Sequence, residues 1–224
     1  MLRKLHQKYL ALLFKIQQRR RTKINVRRQK GLINRDVSIL SCDCTAGGIY
    51  HDLGLKFLSP TINLYFSRDD FCKFALNLSH YSSLNLLFPD ELQTESFPVG
   101  LLGDIKIYFM HYQNAEEARA KWYERSKRIN PHNIFVIMTD TDPITPKTVE
   151  LFKAISYPKI LLCSKSYSLE EHEWVIRKKA KALDKSYLAP SSLFSWKRFY
   201  DFFPFVSWLN QGQKDVKKTE RSAK

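Results

Sequence analysis

Apolar positions along the chain change period several times, and each change marks an element. Leu2, Leu5, Tyr9, Leu12, Leu13 and Ile16 recur at steps of three and four, which predicts an N-terminal helix with one apolar stripe. Val37 to Cys42 reads as a short buried strand, Gly48 to Gly54 as the opening of a short helix, and Thr61 to Phe66 as a second strand. Ser67 has the chemistry of an N-cap, with Arg68, Asp69 and Asp70 in the first turn and Phe71, Phe74, Ala75 and Leu78 at helical spacing behind it. Asp104 to Met110 predicts a third strand, and Asn114 caps a helix carrying Ala118 and Trp122 that Asn130-Pro131 ends. Ile134 to Met138 is wholly apolar, as a central strand would be. Thr145-Pro146 starts a helix running to about Ile155, and Lys159 to Cys163 is a fifth strand.

Five strands separated by helices predict an α/β fold, a mainly parallel sheet of about five strands with helices on both faces. Ligands of such sheets bind at the carboxyl ends of the strands. The strand-exit segments Cys42 to Gly48, Phe66 to Asp70, His111 to Asn114 and Thr139 to Asp142 are therefore expected to converge. Three regions follow: an arm over residues 1–35, a single α/β domain over 36–210, and a lysine-rich tail over 211–224 expected to be disordered. Within the domain, residues 187–208 hold nine aromatics among twenty-two residues, suited to covering a sheet edge or to a membrane interface.

Charge separates the arm from the rest. Of a formal net charge of +15, residues 1–35 contribute twelve Lys or Arg and no acid. Phosphates of nucleic acid, an anionic lipid surface and docking on the chain's own domain all suit a basic amphipathic helix. The apolar stripe favours lipid or docking, and no finger, helix-turn-helix or RNA-reading signature points to a nucleic-acid partner. No run of eighteen apolar residues occurs and the start lacks a signal-peptide pattern, so the expected location is cytoplasmic, with the arm as a means of peripheral attachment to the inner membrane. Cys42, Cys44, Cys72 and Cys163 show no disulfide-framework spacing, which fits a reducing compartment.

The candidate chemistry gathers around Ser41 to Asp52. There a strand runs into the chain's one Gly-Gly pair, and a thiol, two carboxylates and an imidazole stand close by in sequence. Cys44 is the candidate nucleophile for acyl transfer, with His51 or His111 as base, because a thiol beside free N–H groups at a strand-to-helix turn is placed for a lowered pKa. Alternatively, the Gly47-Gly48 turn offers N–H groups to a phosphate, with Arg68, Arg125 and Arg128 as charge partners and Asp52 and Tyr112 as further binding groups. The turn lacks both the Walker ending and the spaced Gly-x-Gly-x-x-Gly pattern. Cys42, Cys44, His51 and His111 have metal-ligating types without a second close pair, and Asp140-x-Asp142 reads first as a turn, so no metal site is assigned and no cofactor is identified. Trp122 reads as a core anchor.

The chain resembles a bacterial family of unknown function, family nineteen-nineteen, whose members are often labelled exopolysaccharide-biosynthesis proteins. The resemblance spans about residues 36–165 and rests on Cys44, Gly47, His51-Asp52, Ser59-Pro60-Thr61, Pro98-Val99-Gly100, His111-Tyr112, Trp122, Arg125 and Arg128-Ile129-Asn130. Asp43 stands where the family often has Asn, and Ala46 where it often has glycine. The resemblance implies a setting, surface-polysaccharide biosynthesis, rather than a reaction. The resulting expectation is a transferase-like protein, of acyl or glycosyl type, handling a glycan or its activated precursor at the cytoplasmic membrane face; the alternative is a non-catalytic glycan- or partner-binding assembly protein.

Overall fold

A computed structural model describes residues 2–163, 172–177 and 198–211. The chain divides into two compact units, one formed by Asp36–Tyr50 and Lys56–Ala182, the other by Met1–Arg35, His51–Leu55 and Leu183–Lys224. Thus the arm belongs with the C-terminal aromatic segment in a unit of its own.

The larger unit is the α/β body. Strands β1 (Ser38–Ser41), β4 (Ile134–Thr139), β5 (Lys159–Cys163) and β6 (Val175–Arg177) form a parallel sheet in the order β1-β4-β5-β6. The six residues of β4 are all buried. Leu40, Val136, Met138 and Leu161 face one hydrophobic cluster, while the alternate residues Ile39, Phe135, Ile137 and Leu162 are equally buried, so the sheet is covered on both sides. The helices are α2 (Thr45–Leu53), α3 (Arg68–Leu76), α4 (Leu78–Ser83), α5 (Ala115–Ser126) and α6 (Pro146–Ala154). Three start at the caps expected: Ser67 accepts from the Asp70 amide, Asn114 from Glu117 and Thr145 from Thr148, with Pro146 as the first helical residue. Trp122 is buried against Phe74 and Phe109 at ring separations of 5.6 and 6.3 Å, a core anchor.

Two expected strands are altered. Thr61 to Phe66 forms no strand, because Ile62 turns back to donate to the Pro60 carbonyl and Asn63 takes a left-handed φ of 60°. Only Tyr65 pairs, exchanging both backbone hydrogen bonds with Tyr108, and Phe66 N–H donates to the Cys42 carbonyl. The expected third strand is β3 (Ile105–Tyr108), antiparallel to β2 (Val99–Leu102) through a two-residue turn at Gly103, φ 62°, and Asp104. The parallel sheet therefore has four strands among the described residues.

In the smaller unit, α1 (Leu2–Gly31) packs by its C-terminal half. The carboxylate of Asp52, fully buried, accepts hydrogen bonds from Arg21, from the Tyr200 hydroxyl at 2.6 Å and from the Asn25 side-chain amide at 2.8 Å. Arg21 also reaches Asp201, which Arg28 pairs at 2.9 Å while lying 4.7 Å above the Phe205 ring. Asn210, in the helical turn 205–211, accepts from the Ile33 amide and donates to the Gly31 carbonyl. The aromatic segment thus packs on the arm through Tyr200 and Phe205; Tyr187, Phe194, Trp196 and the tail over 212–224 lie outside the described residues, as do the side chains of Leu2, Leu5 and Leu13.

Burial alone would raise the Asp52 carboxyl, but hydrogen bonds from Arg21 and Tyr200 and the charges of Arg21 and Arg198 hold it below the usual carboxylate range. A depressed pKa contributes stability that is complete above the unfolded value near 4 and is lost as pH falls through the folded one. Asp52→Ala is expected to lower stability by about 3–5 kcal/mol in urea melts, since it leaves buried Arg21 with Asp201 alone and the Tyr200 hydroxyl without its acceptor. The fall in the wild-type urea midpoint below about pH 4 should be shallower in Asp52→Asn.

Candidate functional site

Chain topology singles out one place on the α/β body. From β1 the chain leaves through α2 toward the Tyr65–Phe66 strip, whereas from β4 it leaves through α6 to β5 on the opposite side. The exits of β1 and β4 are therefore the candidate position for the crevice in which open α/β sheets bind ligands.

A closed polar network fills the base of that crevice. One oxygen of Asp43 accepts from the backbone N–H of Thr45 at 3.0 Å and from its hydroxyl; the other accepts from the Thr139 hydroxyl at 2.5 Å. Asp43 so caps α2 and ties its start to the end of β4. Ser41 completes the turn, donating to the Asp43 carbonyl and accepting from the Ala46 amide at 3.0 Å. The N–H groups of Thr45 and Ala46, just before the Gly47-Gly48 pair, are thereby occupied by the chain's own side chains.

Arg68, the first residue of α3, is 2% exposed and reaches the same place. Its guanidinium donates to the Phe66 carbonyl at 3.2 Å, to Thr139 at 3.4 Å and to Thr141. It forms no ion pair among the described residues, and its Nε–H is buried with no hydrogen-bond partner. Its link to a carboxylate runs through the Thr139 hydroxyl to Asp43. A buried guanidinium without a carboxylate on it carries an uncompensated desolvation cost. Arg68 also lies 5.5 Å over the ring of Tyr65, which like Thr141 is half-buried.

A second group lies across the turn. Arg125 donates to the Tyr112 hydroxyl at 2.6 Å and to the Ile62 carbonyl at 3.4 Å, and Tyr112 donates to the same carbonyl at 2.7 Å. Arg125 also lies 5.4 Å over the Phe57 ring. A Cβ at Gly47 would stand 3.5 Å from Ile62 and Asn63, so the helix passes close under this loop. Cys44 is near enough to Tyr112 that a thiolate there would raise the tyrosine hydroxyl.

Of the residues proposed from sequence, Cys44, Gly47, Tyr112 and Arg125 thus come together, with Arg68 on the other side of Asp43. Gly48 lies inside α2, donating to the Cys44 carbonyl at 3.0 Å. Four residues stand elsewhere. Asp52 is the buried hub of the smaller unit, where His51, largely exposed, stands 3.9 Å from it. Arg128 pairs with Glu124 one helical turn away on the surface. His111 is exposed at the end of β3 while its neighbour Tyr112 turns inward.

The expected activation of Cys44 is reversed. Burial and then the neighbouring Asp43 charge push its thiol up to about 12, and burial pushes Cys42 and Cys163 up to about 12 as well. Among the described residues, no three His, Cys, Asp or Glu side chains converge as a metal site would require. Asp43, Thr45, Thr139 and Thr141, absent from the sequence candidates, make up most of the network; their signal was their position at the exits of two strands.

Fold and candidate site together describe an α/β protein with a buried arginine at the carboxyl edge of a parallel sheet. The chain belongs to a family described as a domain of unknown function, DUF1919, whose model matches residues 15–210. That span exceeds the 36–165 expected from the motifs and takes in Arg21, Asp52 and Tyr200. An uncharacterized protein of Haemophilus influenzae is 35% identical over 197 residues, covering 87% of this chain and 94% of the relative.

With its thiol held protonated, Cys44 should be alkylated by iodoacetamide at pH 7.5 at least tenfold more slowly in the native protein than in urea, by peptide mass spectrometry. Loss of the cap in Asp43→Ala should cost about 1–2 kcal/mol of stability.

Proposed function

We propose that the chain binds the phosphate of an activated glycan precursor at Arg68 and acts as a transferase-like protein of surface-polysaccharide assembly. Arg68 is the observation that carries this reading. It is buried, forms no ion pair among the described residues, keeps one N–H unpaired and stands at the strand exits where open α/β sheets commonly bind ligands. An incoming phosphate would supply the missing anion and accept from Nε–H, a charge-assisted contact for which guanidinium geometry is suited. Thr141 and Tyr65, both half-buried, would meet the rest of the precursor. The polysaccharide setting comes from the family resemblance, and the phosphate from the chemistry of the site.

One observation favours the non-catalytic alternative. With Cys44 held as a thiol, the described crevice has no activated nucleophile, so transfer would require direct attack by the acceptor on the bound precursor. A protein that only holds the precursor for a partner enzyme needs nothing more than the Arg68 crevice.

Binding of pyrophosphate and of UDP-glucose, followed by calorimetry, tests the phosphate reading. Arg68→Met should abolish binding and raise stability by about 1–4 kcal/mol, because an apolar chain replaces a buried charge without a counter-ion. Reduced stability with unaltered binding would identify Arg68 as structural and end the proposal. In cells, loss of surface glycan in Arg68→Met with Cys44→Ala unaffected is the outcome expected.

A further inference from the structure

Helix α1 is docked the wrong way round for a helix that belongs only to its own unit. An ordinary surface helix turns its apolar stripe inward and its charges to water. Here Arg21, Asn25 and Arg28 point inward to Asp52, Asp201 and Phe205. Tyr9, Leu12 and Ile16 are exposed, Leu12 by 57%, as is Phe14 on the side of Arg21, where the helix has not yet reached its packing partners. At about 100° per residue, Tyr9, Leu12, Ile16, Arg19, Lys23 and Arg27 fall within an arc of roughly 80°, opposite Arg21 and Arg28. All six are exposed. The outer face is thus an apolar patch continued along the helix by a basic row, with no acid anywhere in residues 1–35.

We infer that this face is a binding surface for an anionic lipid bilayer, on which α1 lies flat. Two features select lipid. The apolar patch has nothing to bury against on a nucleic-acid backbone but gains from the acyl boundary of a bilayer, while the basic row matches anionic head groups. No described helix is long and apolar enough to cross a membrane, so the helix lies on the surface rather than spanning it. The buried Arg21 contacts orient the helix, so that the apolar patch and basic row share one outward face. This inference does not depend on the phosphate reading of Arg68.

Co-sedimentation of the full chain with vesicles tests it. Deleting the helix would leave Asp52 and Asp201 without Arg21, so substitutions confined to the outer face are the informative ones. Binding is expected to vesicles of 70% phosphatidylcholine and 30% phosphatidylglycerol, and to be lost on pure phosphatidylcholine. The triple variant Arg19→Gln, Lys23→Gln, Arg27→Gln should bind about a hundredfold more weakly at low salt, at roughly 1 kcal/mol per charge. The pair Leu12→Gln, Ile16→Gln should weaken binding at least tenfold, at about 0.8 kcal/mol per buried methylene. Circular dichroism melts matching the wild type would show that both variants fold. As a second readout, Leu12→Trp should show blue-shifted emission and quenching by brominated lipid. The inference is overturned by failure to bind the mixed vesicles, by equal binding to pure phosphatidylcholine, or by an unquenched Leu12→Trp. Equal binding to duplex DNA with no effect of the Leu12/Ile16 pair would also overturn it, as unspecific polyanion attraction.

Discussion

The Asp43 carboxylate is the contact on which the α/β body's functional edge depends. One oxygen holds the start of α2 and the other holds the end of β4, so a single side chain fixes the two strand exits that bound the crevice. Thr139 completes the brace, because its hydroxyl donates to Asp43 and accepts from Arg68. The placement of Arg68, and with it the positive character of the crevice, follows from that chain of hydrogen bonds. An amide at position 43 would keep one acceptor and put a donor where the second acceptor is needed, so the Thr45 and Thr139 hydroxyls could not both donate to it.

Much of the scaffold was legible in the sequence because its signals are local. Ser67, Asn114 and Thr145 cap helices as their chemistry requires, and the apolar run Ile134 to Met138 is one of the two internal strands of the sheet. Thr61 to Phe66 misled for a physical reason: its residues favour strands, yet Asn63 in a left-handed conformation breaks the extension and nothing in composition announces it. The β2–β3 hairpin had a signal, since Gly103-Asp104 between Leu101-Leu102 and the alternating Ile105-Lys106-Ile107 is a two-residue turn pattern, but both strands are only four residues long.

The site was legible only in part. Sequence reasoning favours residues with reactive chemistry, and so reached Cys44, His51 and His111, whose environments then differ: one half-buried, two exposed. The threonines that shape the crevice carry no such mark and depend on non-local pairing, because Thr139 meets Asp43 only after β1 and β4 have registered. Asp52 shows the converse. It stood beside a histidine near the Gly-Gly turn and read as a binding group, but its partners Arg21 and Tyr200 lie far away in sequence on either side.

Helix α1 is already folded and anchored through Arg21 before it meets anything on its outer face. Many interfacial helices are unstructured in water and must order their backbone on contact, at a cost of roughly 1–2 kcal/mol for every residue fixed. A helix held in place by its own ion network has met that cost during folding, so whatever its outer face touches is bound by a rigid surface. The arginines buried beneath the helix thereby set the affinity of a face on which they do not appear.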